Sequence, residues 1–222
     1  MTTPFSLARS MIVKIMIERP EMLRFVHGTM TSGKTTALLQ EAHNIRLHGH
    51  EVLLLTARGD TRSGIGRICS RIGISAPAET FAPGEDLFEK ISRRHSRTPL
   101  SAVMVDEAQW LERDQVWQLS DVADDLGIRV SAYGLRSDFL GRLFEGSATL
   151  MALADQLVEN TGICPSGERA SMVVRIDENG NALSDGPQVM VGGEETYVAV
   201  SRKEWKRRIR QSMAQECRKE VV

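Results

Sequence analysis

From position 23 onward the chain alternates between two textures. Short runs dense in apolar residues stand at 23–27 (LRFVH), 51–57 (EVLLLTA), 101–105 (SAVMV) and 129–134 (RVSAYG). Nearly continuous apolar runs of this length are what strands buried on both faces require. Between them lie longer segments. Residues 35–48 read as a helix that ends at Gly49, and 85–95 as a second helix. Residues 112–126 repeat apolar positions at Val116, Leu119, Val122, Ala123 and Leu126, which line one face of a third. Alternation of strand and helix predicts an α/β fold, a parallel sheet flanked by helices.

After about Gly162 the pattern shortens. Runs at 171–176, 188–191 and 197–200 are separated by turn-rich segments such as Glu178-Asn179-Gly180-Asn181, which predicts a small C-terminal β-rich lobe. The division expected is an N-terminal extension at 1–21 outside the fold, a core at 22–161, a lobe at 162–210 and a tail at 211–222. Met22 stands directly before the first strand and is a candidate start; a short surface-docked helix is the other reading of the extension.

At 222 residues the chain suffices for one sizeable core plus an appendage. An apolar content of 41% against 26% charged residues is that of a soluble globular protein, and a net charge of −1 does not mark the whole molecule as a binder of phosphate backbones. Cys69, Cys164 and Cys217 are too few and too scattered for a disulfide framework and suit a reducing, cytoplasmic setting. No apolar run approaches the roughly 20 residues that span a bilayer. The stretch 10–17 is interrupted by Lys14 and lacks a small-residue cleavage site, so it does not read as a signal peptide. No membrane partner is expected.

Gly28-Thr29-Met30-Thr31-Ser32-Gly33-Lys34-Thr35 fits G-x-x-x-x-G-K-[ST], with a strand before it and a helix after. The glycines let main-chain N–H groups curl around phosphates, Lys34 reaches the β and γ oxygens, and the Thr35 hydroxyl ligates Mg²⁺. The positive end of the following helix adds to the attraction. Asp106, at the end of the apolar run at 103–105, is the acidic partner of such a site, and Glu107 would sit next to the transferred phosphate. This P-loop arrangement implies ATP or GTP and leaves the acceptor open.

The acceptor comes from a resemblance. G-T-M-T-S-G-K-T-T-A-L-L, the segment Asp106-Glu107-Ala108-Gln109-Trp110, and Tyr133-Gly134-Leu135-Arg136-Ser137-Asp138-Phe139 followed by Leu143-Phe144-Glu145-Gly146-Ser147 resemble the thymidine kinases of the bacterial and cytosolic vertebrate type. So do Ala170-Ser171-Met172-Val173-Val174-Arg175 and Val191-Gly192-Gly193-Glu194-Glu195-Thr196-Tyr197. The likeness runs in order from about Leu23 to Lys206 and is closest to the bacterial branch.

The resemblance implies transfer of the ATP γ-phosphate to the 5′-hydroxyl of thymidine, with Glu107 as proton acceptor. Lys34 and Arg62 would neutralise phosphate charge. Residues 28–35 together with Asp106, Glu107, Ala108 and Gln109 would form the ATP and Mg²⁺ side. Met30, Trp110, Leu135, Phe139, Phe144 and Tyr197 would wall the thymine pocket, and main-chain groups of Ala170, Ser171, Met172, Val173 and Val174 would bond the base as a lasso. For Trp110, Leu135, Phe139 and Phe144 the rival reading is plain core packing, whereas Tyr197, near the Gly192-Gly193 pair that allows close backbone approach, is the better pocket candidate. A homotetramer and feedback inhibition by thymidine triphosphate are implied too.

The likeness fails at one place. The family's lobe carries a structural zinc on two cysteine pairs, whereas here only Cys164 remains, with Ser166, Ser201 and Glu204 at the other positions. That set does not make a tetrahedral zinc site, so no zinc is expected. Ile163, Val173, Val191, Val198, Val200 and Trp205 are then expected to hold the lobe by packing, with Cys164 as a small buried hydrophobe. The basic run 202–210 reads as a solvated helix face, not a nucleic-acid site. The five histidines lack metal spacing. The alternatives are a P-loop ATPase of another class, in which Glu107 would activate water, and a catalytically silent relative.

Overall fold

The computed structural model describes residues 22–60, 64–188 and 197–219, with side chains through 214. The chain runs β1 (Leu23–Gly28), α1 (Lys34–Leu47), β2 (Val52–Ala57), three short strands β3 (Arg67–Cys69), β4 (Ser75–Pro77) and β5 (Glu79–Phe81), then α2 (Leu87–Arg97) and β6 (Ala102–Val105). A 3₁₀ turn, Ala108–Trp110, leads to α3 (Arg113–Leu126), β7 (Arg129–Gly134), α4 (Glu145–Leu153) and β8 (Gln156–Asn160). The C-terminal part comprises β9 (Gly162–Ile163), β10 (Arg169–Ala170), β11 (Met172–Arg175), β12 (Tyr197–Val200) and α5 (Arg202–Lys219).

Six strands form one sheet in the order β5-β2-β6-β7-β1-β8, every neighbouring pair parallel. Two-residue alternation sends side chains to opposite faces, and both faces are covered. Leu23, Phe25, Leu53, Leu55, Val103 and Val105 join the core that includes Leu87, Ile91, Val116 and Leu119 of α2 and α3. Val26, Leu54 and Met104 face the other way, against Leu38, Leu39 and Ala42 of α1. The expected flanked parallel sheet is present, and so is a small strand-rich C-terminal region.

The boundaries differ from the sequence expectation by a residue or two. Short β3 to β5, α4 and the edge strand β8 carried no clear periodicity and were not anticipated. Gln188 lies in a bend, and the rest of the run 188–191 falls outside the described residues.

In the C-terminal region β9 pairs with β10 and β11 with β12, both antiparallel. The expected turn at 178–181 forms, with the Asp177 carboxylate accepting from the Asn179 and Asn181 main chain. Cys164, Ala170, Val174, Ala182, Ala199, Val200 and Ile209 make a separate small core, joined by Val198 and Trp205. Ile163, expected inside it, is 77% exposed because it lies on the outer face of the two-residue strand β9. Val191 lies outside the described residues. The basic run is helical as expected, yet one side of α5 buries Ile209 and Ser212. No described helix is long and apolar enough to cross a membrane.

A polar cluster fixes α1 to the sheet. Arg24 pairs with Glu41, and also donates to Ser131 Oγ (3.1 Å) and Tyr133 Oη (3.2 Å). Tyr133 donates to Glu41 Oε2 at 2.7 Å. Burial, then the Glu41 carboxylate, push the phenol well above its ordinary value, so it stays a donor. Tyr133→Phe removes that donor beside a carboxylate and should destabilise the protein by about 1–3 kcal/mol, lowering the melting temperature by several degrees. Thermal unfolding of the variant checks this; an unchanged midpoint would show the cluster to be dispensable.

Candidate functional site

In an open parallel sheet, ligands gather beyond the carboxyl ends of the strands. Here β1 ends in the Gly28–Gly33 loop, β6 ends at Asp106 and Glu107, and β7 lies between them, ending at Gly134. One intervening strand separates the ends of β1 and β6 by about 10 Å, the span of a polyphosphate tail and an acceptor.

The loop is built for close approach. A side chain at Gly28 would collide with the Asn160 carbonyl and with Ser32, and Gly33 adopts φ +84° to open helix α1. The Lys34 ammonium donates to the carbonyls of Thr29 (2.6 Å) and Gly28 (3.3 Å), across the mouth of the loop. Thr29 Oγ1 and Ser32 Oγ are buried, and among the described residues neither has a hydrogen-bond partner. Buried hydroxyls, a left-handed glycine and an ammonium at a helix start fit a bound phosphate.

Thr35 Oγ1 donates to Asp106 Oδ2 at 3.2 Å. A hydroxyl and a carboxylate as hard oxygen donors fit Mg²⁺. Asp106 is 6% exposed. Burial, then the neighbouring Glu107 carboxylate, push its carboxyl up to about 7. Hydrogen bonds from the Glu107 main chain and Thr35, and the charge of Lys34, pull the other way but do not prevail.

Glu107 holds a left-handed backbone conformation (φ 53°, ψ 39°), rare for a residue with a side chain. Such strain persists where surroundings enforce it, and they are visible. Gln109 Nε2 donates to Glu107 Oε2, while Gln109 Oε1 accepts from the Leu135 main chain at 2.9 Å. Gln109 thus ties the carboxylate to the end of β7. A methyl group at Gly134 would press on the Gln109 side chain and main chain, and one at Gly146 on the carbonyls of Ala108 and Leu111. Ser147 Oγ completes the clamp by donating to the Leu135 carbonyl at 2.6 Å.

The remaining candidates fall into groups. Trp110, 38% exposed, meets Phe144 at 5.8 Å between ring centroids. Thr31 (φ 62°) is exposed and Met30 half-buried in the loop. A cleft is lined by Gly28, Thr29, Arg136, Ser171, Met172 and Val173, so the start of β11 overhangs the phosphate loop. Ala170 and Val174 turn their side chains into the small core. Phe139 is fully buried with the Arg175 guanidinium 4.1 Å above its ring, and Tyr197 stands opposite Arg175 in the strand register. Phe139 therefore offers at most one ring face to a ligand. Arg62 lies outside the described residues.

Sequence reasoning gave no role to Arg136, His27 or Glu159, which also line the cleft. Arg136 Nη2 donates to the Ser171 carbonyl at 3.1 Å. Its place inside the run from Tyr133 to Phe139 was the only available signal. His27 is held below its usual pKa by burial first, then by Arg136.

The family model described as Thymidine kinase matches residues 21–205. The chain belongs to the thymidine kinase family. Relatives named thymidine kinase include those of Ruegeria pomeroyi, 52% identical over 83% of this chain and 93% of that one, and of Jannaschia sp., 51% identical over 83% and 94%. That of Xanthomonas axonopodis pv. citri is 51% identical over 85% and 90%.

The positions where the family resemblance implies zinc ligands do meet in this family member. Ser166 Oγ donates to Cys164 Sγ at 3.2 Å, and Glu204 N donates to Ser201 Oγ at 3.3 Å. Burial tends to raise the Cys164 thiol, but hydrogen bonds from Ser166 and from the Ser201 main chain hold it below its ordinary value. Hydrogen bonds from Arg207, then Arg208, hold Glu204 at about 2. Its carboxylate is thereby committed to arginines at 2.6–2.8 Å.

The raised Asp106 pKa sets a pH dependence with a definite sign. A carboxyl whose folded value lies above its unfolded 3.8 favours folding most below that value, and the contribution is lost as pH rises through about 7. Asp106→Asn mimics the neutral form. In chelator and without nucleotide, its melting temperature should match wild type near pH 4 and exceed it increasingly up to pH 8. A gap that does not change with pH would contradict the burial of this charge.

Proposed function

We propose that the protein transfers the γ-phosphate of ATP to the 5′-hydroxyl of thymidine, and that Glu107 takes the proton. One observation carries the reading: a conformationally strained carboxylate at the end of β6 lies one strand away from the Gly28–Thr35 loop, whose first residues border a cleft that β11 overhangs. Membership of the thymidine kinase family supports the choice of acceptor.

In this reading Lys34 and the main chain of 28–33 hold the β and γ phosphates, with Arg62 adding charge. Thr35 and Asp106 hold Mg²⁺, which when bound offsets the phosphate charge. The transition state of phosphoryl transfer is loose, so orienting the hydroxyl counts for more than a strong base. Gln109 serves that purpose by holding one oxygen of the Glu107 carboxylate. Trp110 and Phe144 form an aromatic wall, with Met30, Leu135, Phe139 and Tyr197 completing the enclosure. The main chain of 170–174 reads the carbonyls and N3–H of thymine, a task that needs no particular side chain.

By the same reading residues 22–161 are the phosphoryl-transfer core and 162–210 the nucleoside lobe of a cytoplasmic homotetramer that is inhibited by thymidine triphosphate and holds no structural zinc. The lost-zinc part is supported by the commitment of Glu204 to Arg207 and Arg208.

Release of ADP from ATP should depend on added thymidine. Glu107→Gln should lower kcat by about 10²–10⁴-fold with little change in the KM for ATP. Turnover indifferent to thymidine would indicate a P-loop ATPase instead, and full activity in Glu107→Gln would remove the carboxylate from the mechanism.

A further inference from the structure

We infer that Arg175 is a positioning residue for the nucleoside side of the site, setting the spacing between β11 and the 135–142 segment; the inference rests on the function proposed above. Arg175 is the last residue of β11 and is 3% exposed. Its guanidinium carbon lies 4.1 Å from the centroid of the Phe139 ring. Nη1 donates to the Pro187 carbonyl at 3.0 Å and Nη2 to the Asp185 carbonyl at 3.1 Å. Gly186, between these two acceptors, has φ +127°, and any side chain there would collide with the Arg175 guanidinium. The turn is shaped around that group.

The same point ties in α5 and adds a second bond between the two turns. The Phe139 carbonyl accepts from Trp205 Nε1 of α5 at 2.8 Å. Gln188 Nε2 donates to Asp138 Oδ2 at 3.2 Å, and Asp138 Oδ1 accepts from the main chain of Leu140 and Arg142. A single buried guanidinium therefore joins β11, the 185–188 turn and the 138–142 turn.

A second arginine crosses in the opposite direction. Arg136 of the 135–142 segment reaches the Ser171 carbonyl at 3.1 Å, while Arg175 reaches back to Phe139. The two segments are clamped at both ends, and the cleft lined by Arg136, Ser171, Met172 and Val173 lies beside the clamp. Energetics point to geometry as the purpose. Burying a guanidinium against carbonyl dipoles and a ring face is a poor way to gain stability compared with an apolar side chain of similar size. Arg175 Nε is buried as well, with no partner among the described residues. What arginine supplies there is a rigid planar fork that stacks and donates along fixed directions. Lysine keeps the charge and loses the fork.

The test compares Arg175→Met, Arg175→Lys and Gly186→Ala with wild type by steady-state kinetics in both substrates and by thermal unfolding. Arg175→Met should raise the KM for thymidine about tenfold or more, change kcat by less than about threefold, and leave the KM for ATP unchanged. Arg175→Lys should behave like Arg175→Met. Gly186→Ala, which keeps the guanidinium but displaces its turn, should move the thymidine KM the same way, and it carries the test if Arg175→Met does not fold. A thymidine KM within about twofold of wild type in a folded variant overturns the inference, as does a parallel rise in both KM values, which marks general loosening. Wild-type turnover that ignores thymidine would fail the functional reading first, and this inference with it.

Discussion

Everything at this site depends on a carboxyl pair placed where the sheet runs out. Asp106 is buried beside the Thr35 hydroxyl, and Glu107 leaves the strand through a left-handed backbone. Neighbouring residues in an extended strand point to opposite faces. Two consecutive carboxylates can serve one site only if the backbone breaks from the strand between them. The break at Glu107, followed at once by a 3₁₀ turn, achieves that. Gln109 then holds the strained residue by joining it to β7, so the two strand ends act as a unit. The cost of burying Asp106, and then of the Glu107 charge beside it, appears in its raised pKa, and a cation nearby is what such a group suits.

The sheet and the phosphate loop were legible because their physics is local. Residues 51–57 and 101–105 are nearly all apolar because both faces of the sheet are covered, and glycine at 28 and 33 answers close approach and a left-handed turn. The edge strand β8 was not legible, since its half-exposed residues alternate without a clear pattern. Helix α4, with glycine, serine and threonine in its first turns, gives a weak helical signal; Gly146 is there because α4 presses on the 3₁₀ turn.

The site divides along the same line. Lys34, Thr35, Asp106 and Glu107 could be named from spacing, and the structure brings them to one edge of the sheet. Arg136 and Arg175 could not, because their partners are main-chain carbonyls and a ring far along the chain. Ile163 was misjudged for a related reason: a two-residue strand has no period from which to tell inside from outside. Phe139 carries a ring that the family resemblance assigns to a pocket wall, yet one of its faces is already covered by Arg175.

The most direct measurement is a crystal structure of the protein with thymidine and a non-hydrolysable ATP analogue. The account requires a Glu107 carboxylate oxygen within about 2.6–3.2 Å of the 5′-oxygen, with the base against the main chain of 170–174 and the terminal phosphate in the Gly28–Thr35 loop. A 5′-oxygen beyond hydrogen-bonding reach of Glu107, with another group or water in its place, would contradict it.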